Sequence, residues 1–213
     1  MEDSENIWMN IADVMSALMM IFMFISIAFL YQILNEKEIY QVDLNTALHK
    51  EFDKDLVKWK ADITNDNILR FDSPFRVGET DLPEEFSEIL KAFFPRYIKL
   101  LSTDRFKNEI TEIRVEGHTS NDWGDLTNKR KIYLNNMRLS QNRASNVLRF
   151  CYSLQNINVI HNIEWLQNKL RANGMSFSKP LLNFQNRNED QVRSRRVEFR
   201  VIIKDNKKKR SAK

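Results

Sequence analysis

Asp13 is the residue whose chemistry stands out first, because it precedes an uncharged tract, Val14 to Leu34 (VMSALMMIFMFISIAFLYQIL), and the apolar character also reaches back to Ile7 and Trp8. A carboxylate inside a membrane-spanning helix costs about 2.5–3.5 kcal/mol on insertion scales, so such residues face a protein partner or an aqueous cavity and serve ion pathways. Desolvation there favours the neutral form, which lets the group load and release a proton. Ser16, one turn on, either helps to ligate sodium or simply packs. One aspartate cannot line a path by itself, so the remainder must come from neighbouring helices of other subunits. The bland alternative is that Asp13 lies close enough to the end of the span to reach headgroup water.

Other chemistries are excluded by what the chain lacks. The four glycines, at 78, 117, 124 and 174, never fall at phosphate-cradle or dinucleotide spacing. His49, His118 and His161 are each more than forty residues apart and Cys151 is the single cysteine, so no zinc cluster or HExxH helix can be argued. The methionines at 9, 15, 19, 20 and 23 are scattered around the apolar helix and read as packing rather than soft-metal ligands. No catalytic residue, metal site or resident cofactor is expected, and the chain does not read as an enzyme; the only small species involved would be a transported proton or sodium ion.

These residues need elements to hold them. A helix from Trp8 to Ile33 would be about 39 Å long, enough for the roughly 30 Å hydrocarbon core. The leader Met1 to Asn6 is acidic rather than basic, so the segment is expected to be a retained anchor, not a cleaved signal. Flanking charge leaves its orientation open. Residues 1–35 thus read as a short terminus and transmembrane helix. Residues 36–66 read as an amphipathic helical connector with a stripe at Leu44, Leu48, Phe52, Leu56, Trp59 and Ile63, which would pair with a second copy, dock on the following domain, lie on the membrane or plug a channel. Residues 67–203 alternate strand and helix signals, the α/β pattern of a small mixed sheet covered by helices. Within them Asn67–Phe71, Glu112–Glu116 and Arg196–Ile203 read as strands. Helices are expected after Pro83, with Pro95 kinking or ending the first, around Leu139–Cys151, and over Ile160–Ala172. Gly117 is expected to serve a turn.

The formal charge is +4 and the mean hydropathy −0.51, an average over an apolar helix and a polar domain. The tail 204–213 holds six Lys or Arg against Asp205 but no aromatic residue to stack on bases, so no direct nucleic-acid partner is expected.

Three motifs in the second part of the chain, Gly117-His118-Thr119 after a strand, Asn136-x-x-Leu139-Ser140-x-x-Arg143-Ala144, and Arg195-Arg196-Val197-Glu198, resemble the OmpA-like peptidoglycan-binding domain. The resemblance implies a cleft that grips the diaminopimelate of the wall stem peptide, with Asn136, Leu139, Ser140 and Arg143 matching the family's ligand-binding helix. The family's aspartate after Gly-His-Thr takes the ligand's amine. Here Ser120 stands in that place and Asp122 follows, so either Asp122 takes over the ammonium or the contact differs. His118 is expected to shape the loop.

The stretch from Trp8 through Asp13 and Ser16 to Met19 resembles the helix around the ion-carrying aspartate of MotB stator subunits. Among that family's relatives it looks closest to the ZorB-type subunits of Zorya anti-phage systems, since the span begins almost at Met1. This implies a homodimer surrounded by MotA- or ZorA-like multi-span subunits in the bacterial inner membrane, with the amino terminus cytoplasmic and the domain periplasmic. It further implies rotation driven by ions passing Asp13. A flagellar stator subunit and a plain membrane-tethered wall anchor without ion conduction are the alternatives.

Overall fold

The computed structural model describes residues 2–72, 75–124, 126–183, 185 and 187–204, with side chains of the first helix described at position 8, at 11–32 and from 39 onward. Residues 205–213, which hold most of the expected basic tail, lie outside the described residues. Two compact units divide the chain between Asp43 and Leu44.

Helix α1 runs over Glu2–Trp59 and is continuous across that division. Its stretch Ile11–Gln32 is long and apolar enough to cross a membrane. Every side chain from 11 to 32 is exposed, as expected of a surface made for lipid or for other helices. The hydroxyls of Ser16 and Ser26 donate to the carbonyls of Ala12 and Phe22, each at 2.8 Å, so neither presents an unpaired donor to an apolar surround.

The second unit begins with the last part of α1. Leu44, Leu48, Phe52 and Trp59 are buried in its core, so the apolar stripe of the expected connector docks on the domain that follows. Arg96 secures this docking: its Nε and Nη1 donate to Glu51 Oε1 and Asp55 Oδ2, both at 2.7 Å, while the guanidinium stacks 5.0 Å from the Phe52 ring. The expected connector ran to residue 66. In the structure the helix stops at Trp59, Lys60 takes a left-handed φ of 50°, and β1 (Ala61–Ile63) already belongs to the sheet.

The sheet has the order β1-β2-β5-β3-β4, formed with β2 (Ile68–Asp72), β3 (Ile110–Gly117), β4 (Leu170–Gly174) and β5 (Arg196–Ile203). All pairs are antiparallel except β3 with β4. The main helices are α2 (Glu84–Leu101) and α4 (Lys129–Tyr152), with short turns α3 (Asp104–Lys107), α5 (Ile157–Ile160), α6 (Ile163–Lys169) and α7 (Gln191–Ser194) between the strands. Helix α2 starts after Pro83 with Glu84 and Glu85 in its first turn, where the helix dipole favours acid. It runs through Pro95 without ending. Pro95 is itself buried with Phe93, Phe94, Tyr97 and Ile98, and core burial of about 1.5–3 kcal/mol per large side chain outweighs one missing backbone bond. Phe93 is the hub, with ring centroids 5.0 Å from Phe199, 5.2 Å from Phe71 and 5.3 Å from Phe52.

A single helix over Ile160–Ala172 is not what forms. The segment breaks into α5 and α6, and Leu170–Gly174 becomes the edge strand β4, in parallel register with Ile113–Gly117. Gly117 and Gly174 are partners in that register. A Cβ on Gly117 would meet Ser140 O at 2.3 Å, and one on Gly174 would meet Gln141 N at 2.6 Å. Both glycines therefore serve the close approach of α4 to the end of the sheet, and Gly117 is not a turn residue.

Candidate functional site

One sheet end gathers the loops of the domain. Because β3 and β5 are antiparallel, the residues after Gly117 and those before Arg196 emerge side by side, and His118 N donates to Arg196 O at 2.9 Å. The parallel strand β4 delivers its own exit to the same end: Met175 N donates to Gly117 O and Thr119 N to Ser176 O, both at 2.9 Å. Helix α4 crosses over the glycine pair and turns Asn136, Leu139 and Arg143 to that end, a spacing of three and four residues that keeps them on one helical face.

The result is a cleft of about 210 Å³ lined by Val77, Gly78, Thr119, Ser120, Asp122, Trp123, Gly124, Asn136, Leu139, Arg143 and Arg195. Of the six residues expected for wall binding, Ser120, Asp122, Asn136, Leu139 and Arg143 come together here. Ser140 does not. Its side chain is fully buried, its Oγ donates to Met137 O at 3.0 Å and accepts from Ser176 N at 3.0 Å, and so it ties the exit of β4 to α4 instead of facing the cleft.

Arg143 has a double role. Its Nε donates to Glu79 O and its Nη2 to Arg76 O, each at 2.8 Å, and the guanidinium lies 5.1 Å over the Phe75 ring. No hydrogen bond is made by Nη1 among the described residues, and Arg143 lines the cleft. Burial first, then the positive charge of Arg195, pull the Arg143 guanidinium down to about 10, opposed by Glu79. The larger cause is withdrawal of the guanidinium from water, and the second cation beside it adds to the shift. Three further polar atoms in the lining, Thr119 Oγ1, Asn136 Nδ2 and Arg195 Nε, are buried with no hydrogen-bond partner among the described residues. Buried polar groups are nearly always satisfied, so three orphans in one cleft leave hydrogen bonds for a polar ligand or water to complete. Asp122 Oδ1 accepts from Gly124 N at 3.1 Å, which orients its carboxylate at the cleft wall.

Thr119, Trp123 and Arg195 line the cleft but do not stand out as site residues from sequence. Arg195 is the first residue of a recognised motif, but its neighbour Arg196 does not line the cleft and its Nε donates instead to Glu198 Oε1 at 2.6 Å. The two belong to different elements, Arg195 closing α7 and Arg196 opening β5, a boundary that no local sequence signal marks.

Another cluster also lies beyond sequence reasoning. Glu116, His118 and Glu198 place possible ligand atoms within 4.8 Å of one another. Guanidinium groups already occupy these carboxylates: Arg70 Nε reaches Glu198 Oε1 at 3.1 Å, and Arg200 Nε reaches Glu116 Oε2 at 3.1 Å. With Arg196, three arginines supply the positive charge that a metal ion would bring, so the cluster is an ion-pair network. Burial pushes the Glu198 carboxyl up, but His118 and Arg196 more than offset this and hold it well below the usual carboxylate range. Burial, with a contribution from Arg196, lowers His118 against the pull of both glutamates.

The other expected residues belong to the first unit. Asp13 is exposed on the apolar stretch and has no hydrogen-bond or ion-pair partner among the described residues. Ser16 lies one turn away with its proton spent on Ala12.

Comparison with known proteins bears on both units. No family model matches the chain. The Zorya protein ZorB of Escherichia coli (Crooks strain) is 42% identical over 215 residues, covering 94% of this chain and 89% of that protein. A crystal structure of a putative MotB like protein from Desulfovibrio vulgaris shares the fold, with a TM-score of 0.50, 19% identity, and 82% of this chain and 98% of that one covered. The cell wall anchor of the T6SS from Pseudomonas aeruginosa aligns with a TM-score of 0.49 at 19% identity, over 74% of this chain and 97% of its own. At the identity and coverage shared with the first of these, the chain belongs to the family of the Zorya protein ZorB.

Proposed function

We propose that the chain is the wall-anchored subunit of an ion-driven rotary motor in the bacterial inner membrane, acting in Zorya anti-phage defence. Asp13 carries the ion, a proton or sodium, at the interface with MotA- or ZorA-like multi-span subunits. Two copies of the chain form the axle, and the domain grips peptidoglycan on the periplasmic side while the amino terminus stays in the cytoplasm. The observation that carries this reading is that one chain joins an unpartnered carboxylate on an uncovered apolar helix to a cleft with unfilled polar groups.

Neutralising one carboxylate changes which neighbouring helix packs best against it, so alternate loading of two Asp13 side chains advances the surrounding ring. Each charge crossing the field releases about 2.3 kcal/mol per 100 mV, several times the thermal energy. Torque reaches an effector only if the axle is held. The cleft supplies that hold: Arg143 and Arg195 meet the carboxylate of the stem peptide's diamino acid. Asp122 and the face of Trp123 supply the groups that an ammonium takes.

Phage plating on cells carrying the complete system tests the reading. Asp13→Asn and Arg195→Gln are each expected to lose protection by orders of magnitude while the chain still accumulates in the membrane fraction. Arg195 is preferred to Arg143 because the latter also holds the Arg76 and Glu79 carbonyls. Full protection by the Asp13 variant overturns ion carriage, and full protection by the Arg195 variant overturns anchoring through the cleft.

A further inference from the structure

Asp13 has a side of the helix as well as a depth in the span. Helix α1 is continuous over Glu2–Trp59, so residues spaced by whole turns share a side. Tyr31 stands eighteen residues beyond Asp13. At 3.6 residues per turn that is about five full turns, which places Tyr31 on the same side about 27 Å further along the axis. Between the two, Ala17, Met20, Phe24 and Ile27 fall within about 40° of that line, and none of them offers a hydroxyl, an amide or a charge. Ser26 lies about 140° away, with its proton donated to Phe22 O. Tyr31, exposed and one residue short of the end of the apolar stretch at Gln32, is therefore the next polar side chain on the Asp13 side.

A carboxylate in an apolar span faces a protein partner or water rather than lipid. A surface that meets Asp13 and runs on along the same side of a continuous helix meets Tyr31 as well. Resting on the ion-carrying reading above, we infer that Tyr31 lies at the outer mouth of the ion path and receives the cation before Asp13 does. The phenol suits that place. Its oxygen accepts a hydrogen bond from hydronium or ligates sodium, and its ring face attracts a cation that is shedding water. Because the hydroxyl is uncharged, it passes the ion on without trapping it. The ordinary role of a tyrosine at a bilayer boundary is to anchor the helix at headgroup level. An anchor works from any side of the helix, whereas a mouth works from one.

The test is ion flux in cells co-expressing the full chain with its multi-span partner, followed against external sodium at fixed pH and against external pH without added sodium. The half-saturating concentration, unlike total flux, does not depend on how much chain reaches the membrane. Tyr31→Phe is expected to raise it about three- to tenfold, the margin of one net hydrogen bond. A second variant returns the hydroxyl at nearly the same depth on the other side, since Phe29 lies about 160° round the helix from Tyr31. Tyr31→Phe combined with Phe29→Tyr keeps an amphipathic ring at the boundary and is expected to keep the raised value. An unchanged value in Tyr31→Phe overturns the inference and leaves ion carriage standing. Recovery of the original value in the double variant also overturns it, because anchoring would then suffice. Absence of flux with the unaltered chain, or flux retained by Asp13→Asn, overturns ion carriage and the inference with it.

Discussion

Asp13 and Glu198 are both carboxylates, and the chain treats them in opposite ways. Glu198 is 1% exposed and meets Arg70, Arg196 and Arg200. Its charge is fixed by the fold. Asp13 has no such company among the described residues; it lies exposed on its helix, within the apolar stretch. Whatever sets its charge must come from outside the chain. A permanent charge is built with internal counter-ions, whereas a charge meant to change is left for a partner to govern.

Removing the fixed charge puts this contrast under the greatest strain. Glu198→Gln strands guanidiniums that are mostly withdrawn from water, and should lower the stability of the domain by about 3 kcal/mol in urea unfolding followed by circular dichroism. If the loss is below about 1 kcal/mol, the network is ornamental in energetic terms.

Gly117→Ala comes next. The new methyl would collide with Ser140 O, so α4 must shift off the sheet end, at an expected cost of about 1–3 kcal/mol. Because the same contact sets the position of Arg143, the variant should also weaken wall binding. Unchanged stability and binding would mean that α4 is not located by the glycine pair.

A smaller effect separates the two buried titrating neighbours. His118 has its folded value lowered, chiefly by burial, so the unfolded chain takes up a proton that the folded domain resists. Stability should therefore fall as pH drops through the ordinary histidine range near 6.5, by at most about 1.4 kcal/mol per unit. Glu198 also has its folded value lowered, but from the carboxylate range: its contribution is fully present above that range and is lost only at far more acid pH. Thermal unfolding at pH 7.5 and 5.5 should thus show a drop in Tm that His118→Gln flattens. An equal drop in the variant would assign the pH dependence to other groups.

Much of this architecture was legible because it is local. The apolar span, strands β3 and β5, the α4 face and five of the six expected cleft residues follow from periodicity and motif. What stayed hidden was decided by partners distant in the chain. The edge strand β4 is only five residues long, follows directly on α6, and exists because Ile113–Gly117 offers it a ladder. Pro95 is tolerated because α2 is buried in an aromatic core. Ser140 reads as a ligand from its motif, but the loop after β4 takes its hydroxyl. Arg195 and Arg196 look alike in sequence, but Arg195 closes α7 and lines the cleft while Arg196 opens β5 and meets Glu198.

If Asp13 is left for a partner to charge and discharge, its removal must stop ion movement without removing the chain. Ion flux should be measured in cells co-expressing this chain with its multi-span partner, as the change in cytoplasmic pH or sodium on energisation, for the unaltered chain and for Asp13→Asn. Flux well above background is expected for the former and background flux for the latter, at equal membrane abundance. Flux retained by Asp13→Asn would contradict ion carriage by this carboxylate.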